Sequence, residues 1–136
     1  MKLVYPAYFS PLEEQKGYCV TFPDLKGAVT QGETLAEAIE MAIDCASGWV
    51  LDELEDGNAI PKATPIKEIP IENDEDFVNL IVVDMDLYAK KYSDKSVRKN
   101  CTIPAWLNTM SELKNINCST VLRNALINEL HLNIEN

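Results

Sequence analysis

The sequence is short of the residues that hold metals or carry acid–base chemistry. It has one histidine, His131, in 136 residues. Its four cysteines, Cys19, Cys45, Cys101 and Cys118, include no pair at the C-x-x-C spacing of a zinc or redox site. Glycine-rich phosphate loops of the G-x-G-x-x-G or P-loop type are missing as well. No metal site, no cofactor and no catalytic residues are expected. No apolar run approaches the roughly 20 residues of a membrane-spanning helix. The first ten residues, MKLVYPAYFS, have a proline and polar groups where a secretory leader would carry its long apolar stretch. These absences predict a cytoplasmic protein without membrane contact, whose cysteines are reduced thiols serving as small core residues.

Positive charge is also scarce, at 12 Lys plus Arg against 22 Asp plus Glu, a net charge of −10. Taken as a total, that argues against a nucleic-acid binder. The shortage is uneven, however. Residues 1–88 carry five basic side chains against 18 acidic ones and sum to −13. Residues 89–136 carry seven against four and sum to +3. Five of those seven are Lys90, Lys91, Lys95, Arg98 and Lys99. Such an asymmetry predicts that the two halves meet different partners. With 46% hydrophobic and 25% charged residues, the chain can bury a core, as one domain or two small ones.

What is present reads as an α+β protein. Leu3, Tyr5, Ala7 and Phe9 alternate with their neighbours in a strand pattern, and Tyr18–Phe22 and Ala28–Gln31 offer two more strands between turn-forming residues. Thr34 and Glu37 have capping-box spacing. Behind them Leu35, Ala38, Ile39, Ala42, Ile43, Ala46, Trp49 and Val50 recur at helical intervals, and Gly57 supplies a left-handed stop. The apolar run Leu80–Val83 predicts a central strand. A β-β-β-α-β unit over residues 1–85 follows, then a polar, basic linker over 86–96.

Residues 97–136 form a second pattern. Arg98–Ile103 has the composition of a strand, stopped by Pro104. Leu107, Met110 and Leu113 predict a helix from Ala105, and Asn117 is placed to cap another carrying Val121, Leu122, Ala125, Leu126 and Leu130. One strand and two helices in about 40 residues cannot enclose a core. The unit therefore needs a partner, most simply a second copy of itself. Strand–helix–helix with basic residues at the strand describes a ribbon-helix-helix dimer, whose two-stranded ribbon fits the DNA major groove. Alternation turns Cys101 and Ile103 toward the helices and Arg98, Asn100 and Thr102 toward the bases, with Lys99 at the fraying end. Arg and Asn can read guanine and adenine by paired hydrogen bonds. Asn117 and Ser119, at the start of the second helix, would meet a phosphate. The bland alternative is a dimerisation tail that never touches DNA.

The acidic residues of the first unit raise an enzyme reading, with Asp84 and Asp86 in a D-x-D and Asp24, Glu33, Glu37 and Glu40 elsewhere. The helix acids fall on its solvated side and the others are scattered at turns, so a docking face is the expectation and catalysis is not.

Several short pieces in order then carry a family resemblance. They are Tyr5-Pro6-Ala7, Gly17-Tyr18, Phe22-Pro23-Asp24-Leu25, Thr30-Gln31-Gly32-Glu33-Thr34, Glu37-Ala38 and the G-x-x-I-P stretch from Gly57 to Pro61. Together they resemble the signature of HicB antitoxins. Asn100–Leu107 and Asn117–Leu122 are similar to the ribbon-helix-helix tail of some members. The resemblance implies a partial ribonuclease-H-like domain without nuclease activity, bound over the active site of a HicA-type mRNA-cleaving toxin. It also implies repression of the protein's own operon, through operator DNA bound by a homodimer or a higher oligomer. Ala28, in place of a common Cys, and Ala63-Thr64, in place of Pro-Ser, depart from the pattern. A free-standing ribbon-helix-helix transcription regulator with a ligand-sensing N-terminal domain is the competing expectation.

Overall fold

Alternating apolar residues make Lys2–Pro11 the longest strand, β1, of the computed structural model, which describes residues 1–133. β2 (Tyr18–Thr21) and β3 (Val29–Gly32) complete an antiparallel meander. Helix α1 (Leu35–Glu55) follows, then a single 3-10 turn at Ile66–Glu68 and strand β4 (Phe77–Asp84). The sheet order is β3-β2-β1-β4, antiparallel throughout. Three further helices close the chain: α2 (Met85–Tyr92), α3 (Ala105–Leu113) and α4 (Cys118–Glu129). None of the helices in the described residues is long and apolar enough to cross a membrane.

The strand period of two decides the core. Tyr5, Ala7 and Phe9 on β1, Val20 on β2, and Ile81 and Val83 on β4 are buried together beneath α1. The helix meets them with Ala38, Ala42, Ala46 and Val50, one row at four-residue steps, all fully buried. These small side chains let α1 lie close to the sheet. Gly32 shows how close: a Cβ there would stand 2.3 Å from the backbone nitrogen of Ala38. The start of α1 is capped as the sequence predicts, with the Glu37 backbone N–H donating to Thr34 Oγ1 at 3.1 Å. At its end Gly57 takes a φ of 77°. Its N–H donates to the Leu54 carbonyl and that of Asn58 to the Glu53 carbonyl, the paired bonds of a Schellman stop.

Two expectations about the first unit and its border need correction. Leu80–Val83 belongs to an edge strand, not a central one, and its alternate residues Leu80 and Val82 are 48% and 53% exposed. A continuous apolar run normally signals burial on both faces; here only Ile81 and Val83 turn toward α1. The reading of 86–96 as linker also fails at its start. Asp84 caps α2, Met85 is buried, and Tyr88 and Ala89 pack against the core, so only one side of this basic stretch is solvated. The chain divides into two compact units after Ser93. With Lys90 and Lys91 counted in the first, residues 2–93 sum to −11 and residues 94–136 to +1.

In the second unit α3 and α4 start where the sequence predicts, Asn117 caps α4, and Leu130 is its C-cap residue. Asn115 and His131 adopt φ of 52° and 54° and end the two helices with Schellman pairs of bonds. The strand expected over 98–103 is not formed, because a strand is a pairing and this stretch has no partner strand within the described residues. Cys19 and Cys45 are half-buried, as small core thiols should be, and burial pushes the Cys45 thiol up from its ordinary pKa. Cys101 and Cys118 are exposed, contrary to that expectation, because neither α3 nor α4 has a buried residue.

Candidate functional site

The turn at Pro23-Asp24-Leu25 acts as an anchor. The Asp24 carboxylate accepts from the Thr64 backbone N–H at 2.9 Å and from its hydroxyl at 2.5 Å. Tyr5 donates to the Pro61 carbonyl at 2.6 Å. Tyr8 donates to Asp76 Oδ2 at 2.7 Å and accepts from the Glu72 N–H at 2.8 Å. Three side chains of the meander thus pin the long connection 58–76. The Tyr8 hydroxyl, bonded to a carboxylate, is held above the ordinary phenol range, and the same bond holds Asp76 below the ordinary carboxylate range. Sequence reasoning missed this set. The only available signal was a tyrosine at an outward strand position with a carboxylate 68 residues later.

The acids suspected of catalysis are not assembled. Asp84 Oδ1 accepts from the Leu87 N–H at 3.3 Å as the cap of α2, and Asp86 is buried in that helix's first turn. Glu33, Glu37 and Glu40 are exposed. Among the described residues no group of three His, Cys, Asp or Glu side chains is placed to hold a metal ion. Glu40, Asp44 and Asp84 instead line an open cleft of about 400 Å³ between α1, α2 and the edge of the sheet, over Ile43, Val82 and Leu87. Tyr88 and Tyr92 form one wall, with ring centroids 4.5 Å apart. Burial, and then the Asp44 charge, raise the Tyr88 hydroxyl above its ordinary value.

The second unit carries the residues expected to meet DNA. Arg98, Lys99, Asn100 and Ser119 line one open groove of about 710 Å³, whose apolar part includes Leu122, Leu126, Ile127 and Leu130. Arg123 joins them there. Sequence reading left it out, although it lies four residues after Ser119 on the same helix. Thr102 and Asn117 are exposed but do not line this groove. Asn117 Oδ1 is engaged, accepting from the Thr120 N–H at 3.2 Å. The apolar residues of the unit face solvent: Val97 is 89% exposed, Trp106 65% and Leu113 77%, and Met110, Val121 and Leu126 are exposed too. The inward turn assigned to Ile103 is therefore not seen in the single chain, where it is exposed.

A family model described as HicB_like antitoxin of bacterial toxin-antitoxin system matches residues 5–126. A 14.9 kDa protein from the rep-hol intergenic region of Haemophilus phage HP1 is 30% identical over 105 residues, covering 77% of this chain and 76% of that protein. Antitoxin HicB 1 of Photorhabdus laumondii is 44% identical over 62 residues, 46% of this chain and 39% of that antitoxin. Among solved structures, a chain of a toxin–antitoxin complex from Streptococcus pneumoniae is similar with a TM-score of 0.62 and 25% identity, covering 95% of this chain and 99% of that one.

Proposed function

This chain belongs to the HicB-like antitoxin family of bacterial toxin–antitoxin systems, and from that membership we propose that it neutralises a HicA-type mRNA-cleaving toxin in the cytoplasm and represses its own operon. Residues 2–93, which we read as the partial ribonuclease-H-like domain, bind the toxin and cover its RNA site. Their charge of −11 supports this, because an enzyme that grips RNA phosphates needs a basic face, and opposite potentials speed encounter.

Residues 94–136 act as a ribbon-helix-helix unit. One observation carries this part: α3 and α4 both expose apolar residues, and those of α4 line a groove that also presents Arg98, Lys99 and Asn100. A second copy would bury the apolar face, pair the two 98–103 stretches as a ribbon, and turn Arg98, Asn100 and Thr102 to base edges. The backbone N–H groups at Asn117 and Ser119 would hold a phosphate. The test is a DNA shift with the chain's own promoter region. Arg98→Ala with Asn100→Ala should abolish the shift and leave toxin binding intact. Loss of both would mean misfolding, and an unchanged shift would remove these residues from the interface.

A further inference from the structure

The free edge of β4 and the cleft beside it make a surface that the fold leaves open. β4 pairs with β1 from Phe77 to Asp84, and in the order β3-β2-β1-β4 no strand of the described residues lies on its other side. Sheets protect such edges with lysine, proline, a bulge or a very short strand. The opposite edge, β3, is only four residues long. β4 has eight, FVNLIVVD, with neither Lys nor Pro among them. Leu80 and Val82 are exposed on it, as is Val4, directly opposite Val82 on β1. Val82 also lines the α1–α2 cleft together with the exposed Ile43 and Leu87, so sheet patch and cleft are continuous. Single exposed apolar residues are ordinary, but a contiguous set with a polar rim marks an interaction site.

The rim selects the partner. Lys2 and Lys91 are in the cleft, but Lys2 stands opposite Asp84 in the ladder and Lys91 lies over the Tyr92 ring. Of the six carboxylates on α1, Glu40 and Asp44 line the cleft; α1 has no Lys or Arg, and no basic residue occurs between Lys26 and Lys62. A second copy of this unit would bring another −11 into that field, whereas a cationic protein is drawn to it. The geometry points to the β4 edge and the α1–α2 cleft as the docking surface for the toxin, with apolar contact at Val82 and Leu87 and an acidic rim at Glu40 and Asp44. This rests on the toxin-binding reading above.

The experiment is calorimetric titration of the full chain with the toxin encoded beside its gene. Two variants probe the surface, Val82→Lys with Leu87→Lys, and Glu40→Lys with Asp44→Lys. Val29→Lys, exposed on the opposite edge of the sheet, is the control. Each surface variant should weaken binding by about 100-fold or more, as loss of a central contact does. The control, the melting temperature and the DNA shift should be unchanged. If the unmodified chain binds and both surface variants match it, the surface is wrong while the toxin-binding reading stands. If the unmodified chain does not bind, that reading falls and takes the surface with it. A lower native mass of the toxin-free chain on Val82→Lys, with toxin affinity unchanged, would assign the edge to a second copy and overturn the proposal.

Discussion

Thr64 gives both its backbone N–H and its hydroxyl to the single carboxylate of Asp24, 40 residues earlier in the chain. The bond pair ties the connection after α1 to the β2–β3 turn. It explains why an aspartate sits in the Pro23-Asp24-Leu25 turn and why a hydroxyl residue stands at position 64. Hydrogen bonds to a charged acceptor contribute more than neutral ones, so Asp24→Ala should cost about 2–3 kcal/mol. Thr64→Ser should cost far less. Urea unfolding of the two variants checks this.

The Tyr8–Asp76 pair predicts a pH dependence. The Asp76 pKa is lowered in the folded protein, first by the Tyr8 hydrogen bond, so its contribution is present above the unfolded carboxylate value of about 3.9 and is lost as pH falls through the lower folded value. The Tyr8 pKa is raised, so its contribution is present below the unfolded phenol value of about 10 and is lost as pH rises through the higher folded one. Tyr8→Phe should therefore flatten both the acid and the alkaline limbs of stability against pH. Identical limbs in the variant would show that the bond adds nothing.

Gly32→Ala should destabilise the first unit by about 2 kcal/mol or more, since its Cβ would collide with backbone rather than with a flexible side chain. Thermal unfolding reads the loss directly. The same substitution at Gly27, where a Cβ meets nothing within 4 Å, carries only the strain of its φ of 82° and should cost less.

Asn117 and Arg98 should separate by assay. Asn117→Ala removes the cap of α4 and should cost about 1 kcal/mol of stability, while Asn117→Ser should restore most of it. Arg98→Ala should leave stability unchanged and weaken operator binding by about 1–3 kcal/mol. Equal loss of DNA binding from Asn117→Ser and Arg98→Ala would show that the Asn117 side chain, and not only its backbone N–H, contacts DNA.

The sequence carried the local structure well wherever a pattern is short-range. The Thr34 and Asn117 caps, the Gly57 stop and the alternation in β1 each depend on residues within one or two turns of each other. The errors lie where the deciding partner is distant. Leu80–Val83 looks central because both of its faces are apolar, yet its place at the edge is set by the strand order. Residues 86–92 look like linker because Lys90 and Lys91 dominate them, yet Asp86 is buried and Tyr88 and Ala89 pack against the core. The anchors Asp24–Thr64 and Tyr8–Asp76 span 40 and 68 residues, and no periodicity signals them. Of the residues expected at DNA, Arg98, Lys99, Asn100 and Ser119 share one groove, because the stretch after the first unit runs beside α4.

The central claim is that the acidic first unit silences the toxin without help from the second. RNA cleavage by the toxin, titrated with full-length chain carrying Leu122→Arg and Leu126→Arg, tests it most directly. These substitutions charge the exposed apolar face of α4, so the chain should lose its second copy and its operator shift. Cleavage should still stop at one antitoxin per toxin. Persistent cleavage at excess antitoxin, with the first unit folded by circular dichroism, would contradict the account.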